Sequence, residues 1–198
     1  MFKRGIIALV CGLCGCLLLS VAGVGAACQD ISDRVLRLHV VAASDSERDQ
    51  TLKLQVRDAV LQETEGLLDG VLSTALAKER LQEALPRVQT AAERCLRANR
   101  CDDSVRVELC EMFFTARTYE TVTLPAGDYE ALRVTIGEGQ GKNWWCVVFP
   151  PMCLSGACEQ ELSDVLTDDA CDVITHPERY EVRLKVVEWW QRLCHRET

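Results

Sequence analysis

Hydrophobic residues in Val35-Leu36-Arg37-Leu38-His39-Val40-Val41-Ala42-Ala43 partly alternate with polar ones and are mostly aliphatic or β-branched, which predicts a first strand. In Ser44-Asp45-Ser46-Glu47-Arg48-Asp49, Ser46 stands three residues before Asp49, as at a capping box, and the acids suit a helix N-terminus. Leu52, Val56, Ala59, Val60 and Leu67 then recur at helical spacing, predicting an amphipathic helix over 49–66. Leu54, Leu61 and Leu68 add a second stripe, so the helix is expected to be buried on two sides, and Gly66 and Gly70 bracket a break. Ser73 is placed to cap a second helix whose inner face runs through Leu76, Leu81, Ala84, Leu85, Val88, Ala91, Ala92, Cys95 and Leu96. Pro86 either kinks that helix or opens a new one at its first position, and Asn99 is a C-terminal signal.

Beyond Asn99 the period changes to two. Strands are predicted over 104–111, Arg117–Thr123, Tyr129–Ile136 and Trp144–Phe149, and the 104–149 block reads as a β-meander. Gly127, Gly137, Gly139 and Gly141 fall where tight turns call for positive φ, and Pro150-Pro151 stops the last strand. Residues 155–178 are acidic and without period, which predicts a loop. Tyr180, Val182, Leu184 and Val186 alternate with Glu181, Arg183 and Lys185 as a fifth strand, followed by a short helix over 187–194 with Trp190 and Leu193 inward. The expected fold is α+β: a mainly antiparallel sheet of about five strands, with two to three helices on one face, preceded by an export segment. One domain over 28–198 is expected, with a core at 34–153, the acidic loop at 155–178 and a C-terminal strand and helix at 180–195.

The export segment changes the picture most. Lys3 and Arg4 precede a charge-free run from Gly5 to Cys28, closed by the small residues Gly25-Ala26-Ala27. That is the layout of a secretory signal peptide. As a retained helix the run would span roughly 36 Å, enough for a membrane anchor. Residues 1–27 are therefore a signal peptide or an anchor, and the chain meets the membrane through residues 5–27 if uncleaved. Basic residues before the run place residues 28–198 outside the cytoplasm in either case. Gly25-Ala26-Ala27-Cys28 also faintly resembles a lipoprotein cleavage site.

The chain carries a formal charge of −8, and residues 28–198 hold 20 of the 22 basic and all 30 acidic side chains. This balance opposes nucleic-acid binding. The hydrophobic fraction of 48% excludes a mostly disordered chain.

Of the 12 cysteines, Cys11, Cys14 and Cys16 lie in the export segment as apolar fillers. Without Cys28 eight remain, which permits disulfides in an exported protein, with a pairing that sequence does not fix. Cys146 and Cys153 are read as structural thiols or disulfides. No Cys-x-x-Cys pair follows residue 28, and His39, His176 and His195 lack ligand spacing, so no metal and no cofactor is expected.

Catalytic motifs are equally sparse. Gly137-Glu138-Gly139-Gln140-Gly141 precedes a strand and reads as a hairpin turn, not a phosphate cradle. Asp45 and Asp49 are explained by capping, and no catalytic residue is assigned. Trp144 and Trp145 point to opposite faces of a strand, so one enters the core and the other is free to anchor a partner.

Several stretches carry a resemblance to a known family. They are Leu36 to Gln50, Lys53-Leu54-Gln55-Val56-Arg57-Asp58-Ala59-Val60, Leu124 to Cys153 with its string Asn143-Trp144-Trp145-Cys146 to Pro150-Pro151-Met152-Cys153, and Val186-Val187-Glu188. Together they resemble stage II sporulation protein R, a secreted signalling family of endospore-forming bacteria. Cys95, Cys101, Cys110, Cys158, Cys171 and Cys194 are not part of that pattern. The resemblance implies a non-enzymatic protein exported across the forespore membrane into the space between forespore and mother cell. It would activate a membrane-embedded aspartic protease there, which cleaves the precursor of the early mother-cell sigma factor. Asp45, Asp49, Gly139, Lys142, Asn143, Trp144 and Trp145 are the expected contact residues. The rival reading is an exported hydrolase acting on the cell wall or through a cysteine, using Cys146 or the Asp45/Asp49 pair. A purely structural envelope protein is a third.

Overall fold

The computed structural model describes residues 2–119, 121–150 and 162–195. In chain order its elements are α1 (Phe2–Arg34), β1 (Leu36–Val41), α2 (Glu47–Thr64), α3 (Thr74–Ala98), β2 (Val105–Phe114), β3 (Arg117–Tyr119), β4 (Val122–Leu124), β5 (Gly127–Ile136), β6 (Asn143–Phe149), α4 (Asp168–Thr175), a single 3₁₀ turn (Pro177–Arg179) and α5 (Glu181–His195). They group into two compact units. One comprises Ser32–Phe113 with Asp128–Val165, and the other Met1–Ile31, Phe114–Gly127 and Leu166–Thr198.

The first unit is built on a four-stranded sheet of order β2-β5-β1-β6. β1 runs parallel to β5, with Leu38 opposite Leu132 and Val40 opposite Val134. It runs antiparallel to β6, with Leu38 opposite Cys146 and His39 opposite Trp145. Every residue of β1 is buried, because the strand is central and both its faces are covered. That explains why its alternation was only partial.

The α2–α3 pair covers the face that carries Leu38, Val40, Leu132 and Val134. Ser46 caps α2 by accepting the Asp49 N–H at 3.1 Å. The helix ends at Thr64, ahead of Gly66 with φ +78°. Leu52, Val56, Val60 and Leu61 of α2 are buried, as are Leu81, Ala84, Val88 and Ala92 of α3. Full burial of each large aliphatic side chain contributes about 1.5–3 kcal/mol. That gain carries α3 straight through Pro86, which lies inside the helix and forgoes one backbone donor. Ser73 stands at the N-cap of α3, yet its side chain makes no capping bond.

β2 is an edge strand, and α3 closes part of that edge. The Gln89 amide donates to the Val105 carbonyl at 2.7 Å and accepts the Val107 N–H at 2.9 Å. One side chain thus satisfies two outward-pointing backbone groups that would otherwise template another strand.

In the second unit β3 and β4 form a separate antiparallel pair, with Arg117 opposite Leu124 and Tyr119 opposite Val122. Val122 and Leu124 are fully buried. Thr167 caps α4, accepting the Ala170 N–H at 3.4 Å, while its hydroxyl donates to Asp30 at 3.0 Å. Asp172 accepts from the Tyr180 hydroxyl and from Arg179 at 3.2 Å. The Tyr180 hydrogen bond, more than the nearby Arg179, holds the Asp172 carboxyl below its usual range. α1 buries Val24, Ala27, Cys28 and Ile31, one stripe at helical spacing, and exposes Ile6, Ile7, Val10 and Leu19. Its stretch Val10–Arg34 is long and apolar enough to cross a membrane, consistent with a signal peptide or an anchor.

Several expectations are corrected. The sheet is mixed, not mainly antiparallel, and 104–149 is no meander, since β1 is inserted between β5 and β6. The sheet has four strands rather than about five, and the single strand expected over 117–123 is a two-stranded hairpin. The fifth strand expected at 180–186 is the first half of α5. There the i,i+4 pairs Glu181–Lys185 at 2.5 Å and Glu188–Arg192 at 2.6 Å support a helix. Trp190, expected inward, is 62% exposed. The expected loop at 155–178 contains α4 and the 3₁₀ turn, while residues 155–161 lie outside the described ones.

Candidate functional site

One end of the sheet gathers most of the residues singled out in the sequence. The C-terminal ends of β1 and β5 and the start of β6 lie side by side, with Val41 opposite both Thr135 and Asn143. The loop leaving β1 and the glycine turn between β5 and β6 therefore meet, and they are latched by backbone bonds. Gly141 N–H donates to Ala42 at 2.9 Å, Gln140 N–H to Ala43 at 3.3 Å, and Lys142 N–H to the Asp45 carboxylate at 2.7 Å. Gln50 ties the start of α2 to the same loop, donating to the Ser44 carbonyl at 2.9 Å. Asp49 accepts the Ser44 hydroxyl at 2.5 Å.

The glycines act in two ways. Gly137 and Gly139 adopt φ of +55° and +64°, a region costly for side-chain-bearing residues. Gly127 and Gly141 do not. Gly141 is needed for close approach instead: a Cβ there would lie 2.3 Å from the Ser44 carbonyl oxygen.

The tryptophans point to opposite faces, as strand geometry requires. Trp144 is 36% exposed, and the Arg57 guanidinium of α2 lies 4.4 Å from its ring centroid, a cation–π contact. Trp145 stacks flat on His39, with ring centroids 3.9 Å apart and planes 2° from parallel. Asn143 fixes that imidazole, since His39 Nε2 donates to Asn143 Oδ1 at 2.9 Å. Burial holds the His39 pKa below its ordinary value; the Asn143 bond opposes the shift and the Arg133 charge adds to it. His39 is thus a neutral ring at pH 7 that props Trp145.

Lys53 is the residue the sequence did not single out. It is 5% exposed and donates to Gln50 at 2.7 Å and to the Lys142 carbonyl at 3.1 Å. It bridges α2 to the glycine turn, and burial lowers its pKa. A lysine on the inner stripe of an amphipathic helix, between Leu52 and Val56, was the available signal.

Asp45, Asp49, Gly139, Lys142, Asn143, Trp144 and Trp145 all lie in this one region. Cys146 is buried, paired across from Leu38. Its side chain therefore leaves the sheet on the face opposite His39 and Trp145, which separates its sulfur from the His39 ring. Cys153 lies outside the described residues. Asp45 and Asp49 are engaged in holding the loop, and among the described residues no group of three or more His, Cys, Asp or Glu side chains could hold a metal ion.

A family model described as stage II sporulation protein R matches residues 32–159. That span takes in the whole mixed sheet, the α2–α3 pair and the latched end. The stage II sporulation protein R of Bacillus subtilis (strain 168) is 37% identical over 123 residues, 62% of this chain and 55% of that protein. The match thus spans little more than half the length of that relative. No solved structure matches significantly.

Proposed function

The chain belongs to the stage II sporulation protein R family, and on that premise we propose that it is an exported signalling protein of sporulation. In this reading it crosses the forespore membrane into the space between forespore and mother cell. There it activates a membrane-embedded aspartic protease that cleaves the precursor of the early mother-cell sigma factor. Activation requires tighter binding to the active than to the inactive protease. The contact surface is the latched end: the Ser44–Gln50 loop, the Gly137–Lys142 turn and Trp144. Trp145 acts beneath it through its stack on His39.

The observation that carries this reading is the convergence of two stretches distant in sequence, 44–50 and 137–144, into one braced surface. A half-exposed Trp held by an arginine suits an interface anchor, since both types are enriched at binding hot spots. The exported location is supported by the apolar N-terminal helix. The rival hydrolase reading needs a nucleophile beside a base. Cys146 and His39 project from opposite faces of the sheet, and the two aspartates serve the loop. Cys146 is better read as half of a structural disulfide, supported by its burial and its bonded sulfur.

The test is sigma-precursor cleavage in cells that co-express the protease, its substrate and this protein. Cleavage is expected with the unaltered chain, and reduced cleavage with Trp144→Ala at equal secreted amounts. Absence of cleavage by a folded, exported chain sinks the proposal. Loss in Cys146→Ser with wild-type thermal stability would favour cysteine chemistry instead.

A further inference from the structure

Helix α5 faces outward with its apolar side. Leu184, Val187 and Gln191 are half-buried, whereas Val182, Val186, Trp189 and Trp190 are 76, 44, 61 and 62% exposed. At about 100° per residue these four fall on one stripe roughly 100° wide. Arg183 borders that stripe on one side, and Lys185 and Arg192 border it on the other. The two acids sit farther round, where Glu181 pairs with Lys185 and Glu188 with Arg192. Three basic and two acidic side chains in α5 also set it apart from a chain of formal charge −8.

A tryptophan-bearing apolar stripe with basic residues along both borders is the pattern of a helix lying in a bilayer interface. Indole rings settle at headgroup depth, and long cationic side chains reach the phosphates while their stems stay apolar. Continuity with a second apolar surface points to the same occupant. α5 belongs to the same compact unit as α1, and Tyr180 and Arg183 line one cleft with Leu19, Gly23 and Val24 of α1. Leu19 to Val24 lies in the half of the charge-free run nearer the folded chain, and from Val24 on one stripe of α1 (Val24, Ala27, Cys28, Ile31) is buried in the fold, so a spanning α1 would leave the bilayer there.

We propose that α5 is an interfacial membrane helix, its Val182, Val186, Trp189 and Trp190 stripe lying in the headgroup–acyl boundary of a lipid bilayer beside α1. The inference does not depend on which protein the latched end engages.

The chain has four tryptophans, two of them in β6, so Trp144→Phe/Trp145→Phe leaves tryptophan fluorescence, excited selectively over tyrosine, only on α5. This full-length variant would be reconstituted in phosphatidylcholine–phosphatidylglycerol vesicles, with and without lipids brominated along the acyl chain. Loss of most of the emission in brominated vesicles is expected. Equal emission in both overturns the proposal. So does emission that changes only with protein density, the sign of a second copy covering the stripe. Because the Phe substitutions could disturb β6, the unaltered chain and Trp189→Ser/Trp190→Ser are compared in the same vesicles. The bromolipid-quenchable fraction should disappear in the latter, and equal quenching in the two overturns the assignment.

Discussion

Two residues at the latched end show how little space it leaves. Replacing Gly141 with alanine sets a Cβ 2.3 Å from the Ser44 oxygen, and the neighbour is backbone, which cannot swing aside. Gly141→Ala should cost about 1–3 kcal/mol, read as a lower urea midpoint with an unchanged slope. His39 makes the same region pH-sensitive. Its pKa lies below the ordinary value in the fold, so between that value and about 6.5 the unfolded chain binds more protons. The stability that a neutral His39 contributes is present above pH 6.5 and is lost as pH falls below it. The urea midpoint should drop between pH 7.5 and 5.5, and the drop should shrink in His39→Asn.

At the scale of elements, Gln89 is the clearest case of one helix completing another element. Gln89→Ala strands the Val105 carbonyl and the Val107 N–H at the edge of β2, a loss of about 1–3 kcal/mol if both stay buried. It should also raise concentration-dependent association, measured by light scattering. Gln89→Glu keeps the acceptor for Val107 and should recover part of the stability. The elements themselves were largely legible. Ser46 and Asp49 announced the start of α2, and the stripes of α2 and α3 largely matched their buried faces, except that Leu76, expected inward, is 40% exposed while Ala77 is buried. What failed was non-local or ambiguous. β1 and β5 pair in parallel across more than ninety residues, and local periodicity carries no record of partner choice. Val182, Leu184 and Val186 alternate like a strand, while Glu181–Lys185 and Glu188–Arg192 sit at helical spacing; the alternation is misleading because Val182 and Val186 lie on the exposed side. The candidate site was legible as residue types, but the joining of its two stretches, 44–50 and 137–144, depended on the pairing of β1 with β6.

For the whole molecule, the placement of β1 between β5 and β6 makes the sheet depend on its last strand. A chain ending at residue 142 keeps β1, both covering helices and β5, yet leaves β1 with one open side. Such a truncation should lack a cooperative urea transition, checked by circular dichroism; a sharp transition would show that β6 is dispensable. Family membership fits this arrangement, because the matched residues 32–159 enclose the complete sheet.

The same topology has a consequence for passage through a membrane. β1 ends at Val41, while its neighbour on one side, β6, ends at Phe149, more than a hundred residues later. Contacts this distant in sequence form slowly, because the intervening chain must first be gathered. Until β6 has been made, β1 has no complete place to dock. The architecture therefore delays its own closure, which suits the export proposed above: a chain entering a translocation channel would not yet have a fold to lose.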